Sequence, residues 1–171
     1  MAPVVTNGQQ EACQLLIIED DTALAALLEE YLSGSNYIVQ VINDGSAALE
    51  LLAKEHFDVV LSDIMLPGAD GMTILKEVGG DFTRTIVILM TAYSGIEDAL
   101  SAVKKGAYDF VSKPFQLPEI KIRLDNAAGY QKLLRQMQGE SSPNQLENSS
   151  SNHATDQAAV KIYSSLNRRI G

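Results

Sequence analysis

Short, apolar, β-branched runs alternate regularly with longer amphipathic segments between residues 15 and 111, and this alternation restricts the fold sharply. Runs of this kind are typical of strands buried on both faces, and the amphipathic segments predict the helices that connect parallel strands. In the first such segment, Leu24, Leu28 and Tyr31 share one helical face. The pattern predicts an α/β domain: a doubly wound, five-stranded parallel sheet with helices on both faces. The predicted strands are Leu15–Ile18, Tyr37–Ile42, Val59–Leu61, Ile86–Met90 and Tyr108–Val111.

A longer helix is predicted after Pro118, because proline suits the first turn of a helix. Its apolar positions recur at helical spacing as far as Met137, which places the end of the helix near Gln138. This extended last helix is longer than packing on a small sheet requires. Its outer end therefore either frays or packs on another chain, and Gln131 interrupts the apolar stripe that a coiled coil would prefer.

The chain divides by composition into four segments. Residues 1–12 are predicted to be an N-terminal tail, and residues 13–138 the α/β domain with its extended last helix. Residues 139–153 are rich in Ser, Asn, Gly and Glu, which is typical of a flexible linker. Residues 154–171 are interpreted as a short tail that is either an amphipathic helix or the start of a missing output domain.

Charge and residue counts exclude several classes of protein. The 22 acidic and 13 basic residues give a net charge of −9, which disfavours direct binding of nucleic acid by this chain. A single cysteine, Cys13, excludes an internal disulfide, and with only two histidines there is no Cys/His set for a zinc site. Neither a signal peptide nor an apolar run of membrane-spanning length is present. We therefore expect a cytoplasmic protein that does not bind membranes.

Ionisable and hydroxyl side chains follow four of the five predicted strands. Glu19 and Asp20 follow the first strand, Asp63 the third, Thr91 the fourth and Lys113 the fifth. Because ligands of open parallel sheets bind beyond the carboxyl ends of the strands, we expect these side chains to share one site. Crowded carboxylates repel one another unless a hard cation such as Mg²⁺ lies among them. Together with a lysine and a hydroxyl donor, they predict metal-assisted phosphoryl transfer to a carboxylate.

Each of these residues, taken alone, also has an ordinary structural interpretation. The acidic run ending at Asp21 could stabilise the amino end of the first helix, and Asp63 could be a turn residue. Thr91 could cap a helix, and Lys113 could be a solvated lysine. Their conjunction at one edge of the sheet is what favours a phosphoryl site.

The sequence resembles the receiver domain of two-component response regulators, a chemotaxis-type, flavodoxin-like fold. The resemblance covers about residues 13–130, with four motifs in the expected order. It implies the strand order 2-1-3-4-5 and a cis peptide bond before Pro114. The matching motifs are Glu19-Asp20, the stretch from Asp63 to Gly71 that reads DIMLPGADG, Thr91-Ala92, and Lys113-Pro114-Phe115.

The resemblance implies a phosphoacceptor and a metal site. Asp63 would accept a phosphoryl group from a histidine of a sensor histidine kinase or of a histidine phosphotransfer protein. Asp20 and Asp63 would bind Mg²⁺ directly, Glu19 would act through water, and the backbone carbonyl of Met65 would complete the protein ligands.

The resemblance also implies which residues respond to the phosphoryl group. Lys113 would neutralise the acyl phosphate and Thr91 would move to hydrogen-bond it. The output switch would couple Thr91 to Phe110, although Phe110 equally suits a plain core position. Met65 and Tyr93 would flank the path of the hydrolytic water, and because neither is suited to orient it, self-dephosphorylation is expected to be slow.

The expected function is that of a signalling receiver that catalyses only its own phosphorylation and dephosphorylation. It would control an output partner or a phosphorylation-dependent homodimer. The alternative is a stand-alone interaction or phosphate-shuttle adaptor. An Mg²⁺ phosphotransferase of the aspartyl-phosphate type is less favoured, because Met65 stands where that class has its second aspartate.

Overall fold

The computed structural model describes residues 11–92 and 96–139, except for the side chains of Ile96 and Asp98. In these ranges five strands alternate with five helices, and the strands pair in parallel in the order β2-β1-β3-β4-β5. The predicted doubly wound sheet is therefore confirmed. The elements are β1 (Cys13–Ile18), α1 (Thr22–Ser33), β2 (Tyr37–Ile42), α2 (Gly45–Leu52), β3 (Val59–Asp63), α3 (Gly71–Val78), β4 (Ile86–Thr91), α4 (Ile96–Lys104), β5 (Asp109–Ser112) and α5 (Leu117–Gly139).

The sheet separates two apolar layers, because successive strand side chains point to opposite faces. In β1, Leu15 and Ile17 point to one face, and Leu16 and Ile18 point to the other. All four side chains are fully buried. The first layer contains Leu28 and Leu32 of α1 with Ile120 and Leu124 of α5, and the second contains Ala48 of α2, Ile74 of α3 and Ala102 of α4.

The central strands reach further toward the functional edge than their apolar runs predict. Asp63 is the last residue of β3 and Thr91 the last of β4, and both strands are buried throughout. In the register of the sheet, Asp63 lies opposite Met90, and Thr91 lies opposite Ser112. The strand ladder therefore fixes the backbone of both residues, which a loop position would not do.

The last helix confirms the predicted extension, but one of its residues behaves differently from expectation. Gln131 lies on the buried face of α5 and is only 2% exposed. Its Nε2 donates to the carbonyl oxygens of Asp58, Phe82 and Arg84 at 3.0, 3.1 and 3.3 Å. The amide thus does not break the buried stripe, since its polarity is satisfied by backbone oxygens.

One turn later, Arg135 binds the same region. Its Nε donates to the carbonyl oxygen of Thr83 at 2.8 Å and its Nη2 to that of Arg84 at 3.1 Å, while Nη1 lies 2.8 Å from Oδ1 of Asp58. We call these contacts of Gln131 and Arg135 the amino-end network, because they hold α5 to the chain just before β3 and β4. Beside them, the rings of Phe82, Tyr108 and Tyr130 pack together with centroids 5.7–6.2 Å apart.

Among the described helices, none is long and apolar enough to cross a membrane. Residues 1–10 of the predicted N-terminal tail lie outside the described residues. So do the predicted linker beyond Gly139 and the whole of the predicted tail at 154–171.

Candidate functional site

Three carboxylates meet at the carboxyl ends of β1 and β3, which are neighbours in the sheet. Glu19 and Asp20 directly follow β1, and Asp63 ends β3. One oxygen from each carboxylate lies within 4.8 Å of the other two. Glu19 and Asp63 are buried and Asp20 is exposed, so the group opens to solvent on one side. The three predicted metal ligands are thus brought together.

Lys113 joins two of these carboxylates from the end of β5. Its Nζ lies 2.7 Å from Oε2 of Glu19 and 2.6 Å from Oδ2 of Asp63. Burial alone would lower the pKa of Lys113, but its hydrogen bonds to Asp63 and Glu19 outweigh burial and raise the pKa. The backbone N–H of Lys113 donates to the carbonyl oxygen of Thr91 at 2.7 Å, and the Lys113–Pro114 peptide bond is cis. The lysine is therefore a fixed cation in the site.

Burial dominates the electrostatics of Glu19. It raises the pKa of this carboxyl, and the hydrogen bonds from Lys113 and from the backbone N–H of Asp21 offset only part of the rise. Lys113 therefore does not fully compensate the buried charge of Glu19. Carboxylate oxygen atoms are the ligands that Mg²⁺ prefers, so this donor set fits a hard divalent cation.

Asp21, the third residue of the acidic run, has a structural role. Its Oδ1 accepts from the backbone N–H groups of Ala23 and Leu24 at 3.0 and 3.1 Å, which caps the amino end of α1. The same residue donates its own N–H to Oε1 of Glu19 at 3.0 Å. The ordinary interpretation of the acidic run is therefore correct for Asp21, while Glu19 and Asp20 belong to the carboxylate group.

Both oxygens of Asp63 accept a hydrogen bond. Oδ2 receives the ammonium of Lys113, and Oδ1 receives the backbone N–H of Met65 at 3.0 Å. The first residue of helix α3, Gly71, packs closely against the backbone of Asp63, since a Cβ added to Gly71 would meet the carbonyl oxygen of Asp63. The sequence pointed to Gly71 only as part of the motif, and the structure adds this close approach. The use of the Met65 carbonyl as a metal ligand stays a prediction.

The two residues predicted to form the switch lie on adjacent strands. Thr91 is 5% exposed at the end of β4, next to the residue that pairs with Asp63. Phe110 in β5 lies opposite Leu89 and is partly buried against the layer of α2, α3 and α4. Movement of either side chain stays a prediction, and Tyr93 lies outside the described residues.

The residues at this edge of the sheet lie within the match to one known family. A model of the response regulator receiver domain matches residues 15–125, a range that contains all three carboxylates, Thr91 and Lys113. The chain belongs to the receiver-domain family. Within the ranges that the structure describes, Glu19, Asp20 and Asp63 are the one group of three His, Cys, Asp or Glu residues placed to hold a metal ion.

Curated relatives of this receiver domain are longer regulatory proteins. The chain is 38% identical over 124 residues to the regulatory protein AtoC of Escherichia coli, which covers 72% of this chain and 27% of AtoC. It is 40% identical over 112 residues to the transcriptional activator protein PfeR of Pseudomonas aeruginosa, which covers 66% of this chain and 36% of PfeR. The chain therefore spans between a quarter and two-fifths of the length of these relatives.

Solved receiver domains share the architecture. The BeF₃-activated N-terminal receiver domain of RstA from Klebsiella pneumoniae superposes with a TM-score of 0.62 at 30% identity, covering 67% of this chain and 97% of its own. A response regulator receiver domain protein from Clostridium thermocellum superposes with a TM-score of 0.65 at 26% identity, covering 71% of this chain and 98% of its own. Both comparisons extend over nearly the whole of a solved receiver domain.

Proposed function

We propose that this receiver domain accepts a phosphoryl group on Asp63 from a phosphohistidine of a sensor histidine kinase or a histidine phosphotransfer protein. The observation that supports this most directly is the group of three carboxylates within 4.8 Å, two of which share the ammonium of Lys113. Such a group combines a nucleophilic oxygen, ligands for a cation and a fixed positive charge. Asp20 and Asp63 would hold Mg²⁺ directly, with Glu19 acting through water and the Met65 carbonyl completing the protein ligands.

The phosphoryl transfer exchanges one bond to phosphorus for another. An oxygen of Asp63 forms a bond to phosphorus while the bond between phosphorus and the imidazole nitrogen breaks, and that nitrogen keeps the electron pair and takes up a proton. Bound Mg²⁺ would supply neutralisation of the negative charge that gathers on the phosphoryl oxygens. The backbone N–H of Met65 holds the carboxylate in place through Oδ1. The reaction therefore needs little from the protein beyond positioning and charge.

Lys113 and Thr91 would respond to the product. Phosphorylation converts the carboxylate of Asp63 into an acyl phosphate, so the ammonium that now lies 2.6 Å from Oδ2 would turn to a phosphoryl oxygen. The hydroxyl of Thr91 would donate a hydrogen bond to another phosphoryl oxygen. Phe110 carries no hydroxyl, so any coupled movement of its ring would depend on apolar packing against the second layer.

The output of this receiver domain would be a change in binding rather than turnover of a substrate. AtoC and PfeR are named as regulators and exceed this chain in length, which favours control of an output partner or of a phosphorylation-dependent homodimer. The alternative function, a stand-alone interaction or phosphate-shuttle adaptor, would use the same phosphoryl site. The phosphotransferase is not favoured, because the position two after Asp63 holds Met65, an exposed apolar side chain that cannot act as an acid. We place this activity in the cytoplasm.

The test is phosphorylation of the full chain by acetyl phosphate with Mg²⁺, followed by intact mass. We expect the wild type to gain one phosphoryl group and Asp63→Asn to gain none. Asp81→Asn is the matched control, because Asp81 is an exposed aspartate at the opposite end of the sheet and an asparagine can still accept the Thr83 hydrogen bond. Equal incorporation by Asp63→Asn, or none by the wild type, would contradict the proposal.

The same samples report the lifetime of the modification. After the donor is removed, the phosphoryl mass should disappear slowly, because neither Met65 nor Tyr93 is suited to orient a water. A half-life of only seconds would show that another group orients it.

A further inference from the structure

Asn43, in the turn between β2 and α2, contacts the segment that carries two of the three carboxylates. Its side-chain Nδ2 donates to the backbone carbonyl oxygen of Glu19 at 2.7 Å. Because only the NH₂ group of an asparagine amide can pair with a carbonyl oxygen, the acceptor identifies the donating atom. The backbone N–H of Glu19 donates in turn to the carbonyl oxygen of Ile42 at 3.1 Å. The consecutive residues Ile42 and Asn43 therefore hold both polar groups of the Glu19 backbone.

The hydrogen bond from Asn43 acts on the orientation of Asp20. The carbonyl group of Glu19 and the N–H of Asp20 belong to one planar peptide unit, so holding the carbonyl oxygen fixes the direction in which the chain enters Asp20. Asp20 is exposed, and in the described ranges no residue donates a hydrogen bond to its carboxylate. The position of this carboxylate near those of Glu19 and Asp63 therefore depends on the backbone and not on side-chain partners.

The turn that carries Asn43 is itself anchored on its far side. Asp44 caps the amino end of α2 with its side chain. The backbone N–H of Gly45 donates to the carbonyl oxygen of Pro67 at 2.9 Å, in the loop that follows β3. The two segments pack tightly, because a Cβ added to Gly45 would meet the carbonyl oxygen of Ala69 in the same loop. The amide of Asn43 is thus a fixed donor in a turn that connects the ends of β1 and β3.

We propose that Asn43 is a positioning residue for the cation, acting through the peptide unit of Glu19 and Asp20 and touching neither the metal nor the phosphoryl group. This inference rests on the proposed function, in which Asp20 binds Mg²⁺ directly. Without the amide the peptide unit can rotate, so that Asp20 faces the other carboxylates for only part of the time. The apparent affinity for Mg²⁺ falls with that fraction. Loss of a residue that orients a metal ligand lowers metal affinity by about tenfold to a hundredfold.

The simpler interpretation is that Asn43 serves only the turn, since asparagine is common in turns. The two interpretations differ in what a substitution changes. An amide that serves only the turn would affect the stability of the fold and leave the Mg²⁺ affinity of the folded protein unchanged. A positioning amide affects the Mg²⁺ affinity of a protein that is fully folded. Because Asn43 is exposed, its replacement opens no cavity and the variants should fold.

The first experiment is calorimetric titration of the full chain with Mg²⁺ alone at constant ionic strength. We expect Asn43→Ala to bind Mg²⁺ about tenfold or more weakly than the wild type. Gln40→Ala is the matched control and should bind like the wild type, because Gln40 is an exposed amide of β2 three residues before Asn43. Melting curves without metal establish that each variant is folded. Wild-type affinity in folded Asn43→Ala, or an equal loss in Gln40→Ala, would overturn the proposal.

Asn43→Ser separates the positioning role from the turn. Serine suits a turn as asparagine does, but its side chain is one bond shorter and does not reach the carbonyl oxygen of Glu19. We expect the loss of Mg²⁺ affinity to match that of Asn43→Ala. Wild-type affinity in Asn43→Ser would assign the effect to the turn alone and contradict a positioning role.

A second measurement reports on the peptide unit itself, without metal. Backbone ¹⁵N relaxation gives an order parameter for the N–H of Asp20, which shares its peptide unit with the carbonyl of Glu19. We expect about 0.85 in the wild type and in Gln40→Ala, and less than about 0.6 in Asn43→Ala. An Asp20 N–H equally ordered in all three proteins would exclude action through this peptide unit.

Phosphorylation by acetyl phosphate distinguishes this inference from the proposed function. In Asn43→Ala the Mg²⁺ concentration that gives half the maximal rate should rise about tenfold, and saturating Mg²⁺ should restore most of the wild-type rate. A rate that stays low at saturating Mg²⁺, or an unchanged dependence on Mg²⁺, would contradict the positioning role and leave phosphorylation of Asp63 intact. A wild type that binds Mg²⁺ more tightly than Asn43→Ala but gains no phosphoryl group would contradict the proposed function and support the role of Asn43.

Discussion

The two ends of the sheet use polar residues in opposite ways. At the carboxyl end, three carboxylates lie close together, two of them share the ammonium of Lys113, and burial raises the pKa of Glu19. At the amino end, Gln131 and Arg135 donate to backbone carbonyl oxygens, and Arg135 also pairs with Asp58. The first arrangement holds charge that a ligand can relieve, whereas the second leaves little for a ligand to satisfy.

This difference indicates where stability and chemistry lie in the domain. The amino-end network joins α5 to β3 and β4 with donors and acceptors that already match, so its loss should cost folding free energy. The carboxylate group contains like charges held together by the rest of the fold, so a bound cation should add stability there. We expect reactivity to follow the same division, and the cysteine at the amino end provides a test.

The largest expected effect is on the reactivity of Cys13, the first residue of β1. Burial, reinforced by the charge of Asp58, raises the pKa of this thiol to about 12. Because the thiolate is the nucleophile, alkylation by iodoacetamide at pH 8 should be about a thousandfold slower in the folded chain than in the chain unfolded by urea. Intact mass against time measures both rates, and Cys13→Ser controls for other sites. Rates within tenfold of each other would show that the amino end is open to solvent.

The second effect is the loss of the central donor in the amino-end network. Gln131→Leu has a similar volume but removes one donor from three carbonyl oxygens. The oxygens of Asp58 and Arg84 keep a second donor, from the Ile86 N–H and from Arg135, so we expect the free energy of unfolding to fall by about 1–3 kcal/mol. Urea unfolding gives this value. Gln138→Leu, at an exposed position of the same helix, should change it by less than about 0.5 kcal/mol. A loss in Gln131→Leu no larger than in the control would mean that the network adds little.

The smallest effect is stabilisation by magnesium. At a concentration about ten times the dissociation constant, Mg²⁺ should raise the free energy of unfolding of the wild type by about 1.4 kcal/mol, because it binds the folded state alone. Asp20→Ala removes one carboxylate of the group, and its response to Mg²⁺ should largely disappear. Thermal melts with Mg²⁺, and with Na⁺ at equal ionic strength, measure the difference. Equal responses in both proteins would remove Asp20 from the ligand set.

The fold and the carboxyl-end residues follow from the sequence because both depend on strand ends. Once alternating runs identify parallel strands, the residues that follow them must meet at one edge, and Glu19, Asp63 and Lys113 did so. Gln131 could not be recognised in this way. Its acceptors lie 73, 49 and 47 residues away in the chain, and hydropathy alone assigns an amide to the surface. The role of Asp21 does not follow from the sequence for a related reason, since an acidic run suits both a helix cap and a set of metal ligands.

The position of Asp20 between two anchored neighbours has a kinetic consequence. Its predecessor Glu19 donates its N–H to the carbonyl oxygen of Ile42 at 3.1 Å, and its successor Asp21 is fixed by the cap of α1. The conformational entropy of ordering this backbone is therefore lost during folding and not when a ligand arrives. Capture of Mg²⁺ at this edge would then be paced by the release of water from the ion, which Mg²⁺ gives up slowly, and not by rearrangement of the loop.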